Sequence, residues 1–147
     1  MTTDLNGRVR EALARTEIMA LSTVGLDGSW TSPVQYRSDD KLNLYFMSMP
    51  DAKHVQNIRR ETRVSLAIYS FPGPPGGNLA LQIKGAAEHL ADESTRGSWQ
   101  HFKITPHEVW CFDSRVTRKR QRVDLAHLDL GGSHEPRRSS LSRPTIP

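Results

Sequence analysis

The chain has a single cysteine, Cys111, so no internal disulfide can form and a reducing, cytoplasmic home is expected. No apolar run approaches the roughly 18–20 residues of a membrane-spanning helix, so no membrane partner is expected. The first twenty residues carry Asp4, Arg8, Arg10, Glu11, Arg15 and Glu17, which leaves no apolar stretch for a secretory leader. Apolar residues make up only 36% of the sequence, low for a globular protein, and part of the chain is expected not to pack. Catalytic signatures are missing as well. There is no G-x-S-x-G, no Walker loop and no G-x-G-x-x-G, which leaves a hydrolase or kinase without support. The histidines, His54, His89, His101, His107, His127 and His134, show no paired metal-ligand spacing, so no metal is expected. Cys111 sits between Trp110 and Phe112 in a strand-like run, where a buried inert thiol is the expected reading. No internal repeat is visible.

The positive charge is unevenly spread. Residues 115–147 hold eight Lys/Arg against three acids, whereas residues 1–114 hold twelve against thirteen. The basicity therefore belongs to the last quarter and not to the body, which argues against nucleic acid as a partner. From Gly131 the chain reads "GGSHEPRRSSLSRPTIP", a disordered end or an arm ordered only by a partner. The division is into one domain over residues 1–128 and a Gly/Pro/Ser/Arg-rich tail over 129–147.

Within that body the pattern is mainly β with peripheral helices. Leu5, Val9, Ala12 and Leu13 predict an amphipathic helix over 4–15. Strands are predicted over 17–24, 29–37, 42–48, 63–71, 78–90 and 108–113, with a further short one possible at 121–128. "GLDG" and "SDDK" are turns, the second joining 29–37 to 42–48 as a hairpin, and "PGPPGG" (72–77) is an exposed loop. Pro33 lacks a ladder N–H, so its strand belongs at an edge or carries a bulge. Gly85 marks a bulge or a corner. A short helix is predicted from Asp92 through Phe102 with Thr95, Trp99 and Phe102 inward, followed by a turn at Thr105–Pro106. Five or six strands this apolar escape the edge problem by closing, wholly or nearly, into a small antiparallel barrel.

The unusual stretch is "MSMPDAKHVQNIRR" (47–60). It predicts a helix over 51–61 with Lys53 and His54 in its first turn, where the macrodipole disfavours positive charge. The spacing puts Lys53, His54 and Asn57 together on one side, with Val55 and Ile58 on the core side. One reading is an anion site built from the helix N-terminus, these two residues and Ser48. The other is an ordinary Asp51 N-cap with solvated cations.

The run "MALSTVGLDGSWTSPVQYRSDDKLNLYFMSMPDAKHVQNIRRETRVSLAI", with the later "LQIKGAAEHLAD" and "FKITPHEVWCFD", resembles the pyridoxamine 5′-phosphate oxidase-like, flavin-binding split-barrel proteins. The resemblance covers about residues 16–125 and rests on the order and spacing of short motifs. It implies a six-stranded antiparallel split β-barrel, homodimeric, with flavin (FMN) sites at the subunit interface. It also implies that Ser48, Ala52, Lys53 and His54, with Asn57 nearby, hold the cofactor phosphate. By the same resemblance the ring lies along Trp30, Thr31, Ser32, Pro33, Val34 and Gln35 beside Phe46 and Met47. Gln82 would reach the cofactor, and Trp110 of the partner subunit would help close the site. True pyridoxamine oxidases carry an Arg and a Lys where this chain has Thr31 and Tyr36, and a Ser/Thr-Arg-Lys run where it has Asp51-Ala52-Lys53. No C-terminal substrate-binding Arg/His pair is found, so a vitamin B6 oxidase is not expected. The expected function is an FMN-dependent oxidoreductase acting on a small molecule, with no assigned catalytic side chain; Ser32, Tyr36 and His54 are the polar groups nearby. A deazaflavin-dependent reductase is the alternative in the same cleft. A non-catalytic flavin or haem binder is another, with His54, His89 or His107 as the axial candidates.

Overall fold

The computed structural model describes residues 4–71, 77–91 and 99–131. The first helix, α1 (Leu5–Arg15), starts where Asp4 accepts a hydrogen bond from Gly7 N at 2.6 Å. It buries Val9 and Ala12. Strands β1 (Ile18–Gly25) and β2 (Gly28–Gln35) form a hairpin about the predicted "GLDG" turn. After β3 (Arg37–Ser38) and β4 (Leu44–Ser48) comes α2 (Lys53–Arg60). Then follow β5 (Arg63–Ser70), β6 (Leu79–Leu90), β7 (Gln100–Asp113) and β8 (Gln121–Arg122), with a 3₁₀ turn at Leu125–His127.

All neighbouring strands are antiparallel, in the order β2-β1-β5-β6-β7-β4-β3, with β8 also on β7. Six of them are long, which matches the sequence expectation; β3 and β8 are two-residue additions. The sheet curls until β2 and β4 touch without a ladder between them. Helix α2 reaches both sides of this split. Asn57 Nδ2 donates to Thr23 Oγ1 of β1 at 3.0 Å, and His54 Nε2 lies 2.6 Å from Ser48 Oγ of β4. The barrel interior is apolar and closely packed, with Met19, Leu21, Ile68, Leu81, Ile83 and Ile104 all essentially inaccessible. Pro33 lies in the terminal strand of the sheet, as its missing N–H requires.

Several expectations are corrected. The hairpin joining 29–37 to 42–48 shrinks to the pairing of β3 with the start of β4, because β2 spends its ladder on β1. Asp39 organises that turn instead. Its Oδ1 accepts from Lys41 N and Asn43 N, and Leu42 takes φ +66° because its side chain is held in the core. Thr105–Pro106 is no turn. It lies inside β7 opposite Gly85, where the ladder slips and His107 is the extra residue. A Cβ on Gly85 would stand 2.4 Å from Thr105 O. The glycine and the proline, read separately in the sequence, are the two sides of one bulge, which needs close backbone approach and spares a donor. The predicted helix ending at Phe102 falls mostly outside the described residues, but its end is strand. Phe102 belongs to β7 and stacks on Phe46 with centroids 5.0 Å apart. The proposed strand 121–128 is β8 followed by the 3₁₀ turn, capped by Asp124. Leu128 and Leu130 are buried in the core, and Leu130 N donates to Asp40 O. Residues 72–76 of the predicted loop, and the tail from 132 on, lie outside the described residues.

Candidate functional site

Two groups of residues on the outside of the barrel carry chemistry. The first is the corner where the β1–β2 turn meets α2. No side chain caps α2 among the described residues; its N-cap is Ala52, not Asp51. The first peptide N–H groups of a helix have no intrahelical acceptor, so this end favours an anion. Lys53 stands over the Trp30 ring at 4.4 Å and pairs with Asp27 at 3.2 Å. The ammonium lowers the Asp27 carboxyl through that hydrogen bond. Both partners are solvent-exposed, so the pair is weakly held and can be exchanged for another anion.

Lys53, His54 and Asn57 do not share a face. Residues 54, 55, 57 and 58 are all buried while Lys53 is exposed. The helix bridges two sheet margins and so buries a wide stripe, leaving Lys53 as the only cation of its first turn aimed outward. His54 is fully buried. Burial pulls its imidazole down to about 4, so it is neutral at pH 7. Its Nδ1 has no hydrogen-bond partner among the described residues. Ser48, also buried, is the partner on Nε2. These two hold the helix to β4, and neither brings charge to the surface. Asn57 is a bracket on the other side. A Cβ on Gly25 would come 2.3 Å from Asn57 Oδ1, so the glycine admits the amide.

Strand alternation divides the six residues of β2 expected at the site, Trp30 to Gln35. Ser32 and Val34 point into the barrel and are buried, whereas Thr31 and Pro33 face out. Ser32 Oγ has no hydrogen-bond partner among the described residues. Trp30 shares the inner side but lies at the strand end, 42% exposed. Gln35 donates to Glu17 at 3.2 Å. Phe46 is sealed in the core, and Met47 is 7% exposed on the adjoining strand. Tyr36 donates its hydroxyl to Thr16 O at 2.7 Å and is buried, which raises its phenol. It fastens α1 to the sheet. Cys111 is sealed, and burial pushes its thiol up to about 11.

The second group stands across the sheet. Cross-strand neighbours on the outer face run Pro33, Ala20, Ala67, Gln82, Trp110, Arg122, one from each strand in order. A parallel row runs Thr31, Ser22, Ser65, Lys84, Glu108, with the first two hydroxyls 2.9 Å apart. A groove of about 330 Å³ crosses these rows. Its floor is small residues of β1 and β5, and its wall is Gln82, Lys84, Glu108, Trp110 and Arg120. Trp110 Nε1 donates to Glu108 Oε2 at 2.7 Å, and Arg120 lies 4.3 Å from the Trp110 ring centroid. Three strand spacings, about 14 Å along the sheet, separate β2 from β6. Within one chain, therefore, Gln82 and Trp110 are not beside Thr31 and Lys53.

The sequence reading missed Asp27, seen only as part of a turn, and Lys84, Arg120 and Arg122, the arginines having been counted into a basic tail. The dense "RKRQR" run was a signal, but only β8 pairing brings it onto Trp110. Of the haem candidates, His54 is removed as an axial ligand because its ring is inside the barrel with Nε2 on Ser48. No helix among the described residues is long and apolar enough to cross a membrane.

Known proteins supply the frame for this geometry. No curated protein matches the sequence. Among solved structures, a haem-binding protein from Mycobacterium smegmatis superposes with a TM-score of 0.68 at 15% identity, over 86% of this chain and 60% of that one. This chain thus spans only part of that protein's length. A FAD-binding protein from Mesorhizobium loti gives 0.59 at 20% identity, over 69% of this chain and 87% of its own. A haem storage protein from Vibrio cholerae gives 0.62 at 13%, over 76% and 95%. At such identities the likeness is one of fold, the split barrel. The sequence profile described as pyridoxamine 5′-phosphate oxidase matches residues 5–126, and the chain belongs to that family.

Proposed function

We propose that this protein binds a flavin, FMN in the first place, and acts as an oxidoreductase on a small molecule. The reading is carried by the α2 corner, where an uncapped helix start, an outward lysine and the open edge of β2 meet. The residues present fit the group. The helix N–H groups and Lys53 would take the phosphate in place of Asp27. Thr31 and Pro33 would line the ring, and Trp30 would flank it. A bound flavin supplies hydride or electron transfer through its own ring, and the protein supplies position and charge. Ser48 and His54 are engaged with each other inside the barrel, so neither would present an acid or base to the ring.

The reading also requires a homodimer. The outer face presents Ile18, Tyr69 and Phe71 at 47%, 49% and 58% exposure, with the Tyr69 and Phe71 rings 5.5 Å apart. A second copy laid on this face would cover them. It would also bring Gln82 and Trp110 of the partner subunit over the first subunit's β2, removing the 14 Å gap. The small-residue floor lets two sheets approach closely. A cytoplasmic site of action accords with the single buried thiol.

The test is a visible absorption spectrum after FMN addition and desalting, on the wild type and on Lys53→Ala. Retained flavin that is lost in the variant supports the corner site. No retention in the wild type moves the reading to a deazaflavin, titrated in the same way. Light scattering on Tyr69→Glu tests the dimer, with a monomer expected.

A further inference from the structure

Two buried polar atoms are left over at the seam of the barrel. Among the described residues neither Ser32 Oγ nor His54 Nδ1 has a hydrogen-bond partner. Ser32 is 2% exposed and His54 is wholly buried, so neither side chain reaches bulk solvent. A buried donor or acceptor without a partner bears its full desolvation cost, and such groups are few in folded proteins.

The fold brings the two to one place. β2 and β4 touch without pairing, and α2 touches β2. The β3–β4 register pairs Arg37 with Tyr45 and Ser38 with Leu44. Carried back into β2, it sets Ser32 level with Pro50, just past the end of β4 and close to the start of α2. Contacts on either side agree. Trp30, about 7 Å back along β2 from Ser32, has Lys53 over its ring. His54 is the next residue of α2, turned inward with its ring centroid 6.1 Å from that of Phe46 on β4. Ser32 thus approaches the seam from β2 and His54 from α2, and the two atoms do not bond each other.

Chemistry restricts what can lie between them. Burial alone pulls the His54 imidazole down, with no charged group of α2, β1, β2 or β4 contributing among the described residues. An ion would meet no counter-charge there, and an unpaired buried ion is prohibitive, so the occupant is neutral. It must also suit either polarity. A neutral imidazole has one donor and one acceptor nitrogen, and a hydroxyl both donates and accepts. The 2.6 Å contact of His54 Nε2 with Ser48 Oγ allows either tautomer. Val34, Phe46 and Val55, on the same three elements, are wholly inaccessible, which closes the place to a larger ligand.

We infer that a single buried water lies in the seam and joins Ser32 Oγ of β2 to His54 Nδ1 of α2. Helix α2 already holds β1 through Asn57 and Thr23, and β4 through His54 and Ser48. The water adds β2 from the inside, at the margin that makes no ladder with β4. Buried waters occur roughly once per 27 residues and bridge polar groups in this way. The tie stands whether or not a flavin binds at the corner.

The test is a high-resolution crystal structure of the full-length protein. A water within about 2.6–3.2 Å of both Ser32 Oγ and His54 Nδ1 is expected. Density on only one of them, density on neither, or a direct bond between the two side chains overturns the proposal. Thermal melting gives a second reading, which turns on its sign. With the water in place, Ser32→Ala strips it of a partner and should lower the midpoint by roughly 2–5 °C. Were the hydroxyl simply unpaired, alanine would remove a buried orphan and the midpoint would hold or rise, which overturns the bridge. In solution, NMR should show a cross-peak from a long-lived water to the His54 ring protons that weakens in Ser32→Ala. An unchanged cross-peak would place the water elsewhere and sink the idea.

Discussion

The α2 corner and the β6–β8 wall are both polar sites at the surface of the barrel, but they are built in opposite ways. At the corner, most of the polar groups are turned inward and consumed. His54 has Ser48, Asn57 has Thr23, and only Lys53 remains outside with Asp27. At the wall the cations are outward and share one carboxylate already engaged by Trp110. The corner is therefore a packed joint with one exchangeable charge, whereas the wall is a set of exposed basic side chains around a half-buried aromatic ring. A site of the first kind is sensitive to packing changes. One of the second kind is sensitive to charge and salt.

The largest effect expected from breaking this contrast is in pH dependence at the joint. An ordinary histidine titrates near 6.5, and His54 in the folded state is down at about 4. Between those values the unfolded chain takes up a proton that the folded chain refuses. Stability attributable to His54 is therefore full above about pH 6.5 and falls as pH drops toward 4, by on the order of 2–3 kcal/mol. Urea unfolding across pH 4–8 should show this slope, and His54→Gln should flatten it. A slope unchanged in the variant would mean the imidazole is not the titrating group.

Next comes packing. Gly25→Ala places a methyl 2.3 Å from Asn57 Oδ1 and should cost about 1–3 kcal/mol, as overpacking does, measurable as a fall in the thermal midpoint. An unaltered midpoint would show that the turn can move away from α2. A smaller effect is expected at the exchangeable charge. Lys53→Ala should weaken FMN roughly tenfold, the scale of one charge-assisted hydrogen bond, with little change in folding. The smallest sharpens the same point. Asp27→Asn releases Lys53 from its exposed partner and should tighten FMN by roughly twofold to threefold. Weaker binding in that variant would show that Asp27 positions the lysine and does not compete for it.

Much of the barrel was legible before any coordinates. Alternation in "SWTSPVQYR" separates Trp30, Ser32, Val34 and Tyr36 from Thr31, Pro33 and Gln35, since strand side chains alternate whatever lies beyond them, and the structure shows Ser32, Val34 and Tyr36 to be the buried side. Pro33 foretold an edge or a bulge from its missing N–H, and the structure makes it an edge. The anion-site stretch was only half legible. Helical spacing gave the relative angles of Lys53, His54 and Asn57, but not the width of the buried stripe. That width follows from α2 spanning two sheet margins, a fact about the closure of the barrel. Phe46 was expected beside a cofactor, and it lies in the core because Phe102 arrives from 56 residues further along the chain to stack on it. Phe102 was read as the end of a helix because Thr95 and Trp99 precede it at helical spacing, and pairing with β4 and β6 overrides so weak a local preference.

By itself the sequence determined the alternation of its strands and the buried thiol, and narrowed Pro33 to an edge or a bulge and Gly85 to a bulge or a corner. Each follows from a constraint acting within a few residues: side-chain periodicity, a missing N–H or a missing Cβ. Only the tertiary structure decided which polar groups are spent on one another and which stay exposed. Thr23 and Asn57 are 34 residues apart, and Gln82 and Arg120 are 38 apart. Such partnerships depend on which strands meet across the sheet, and local preference carries no information about that.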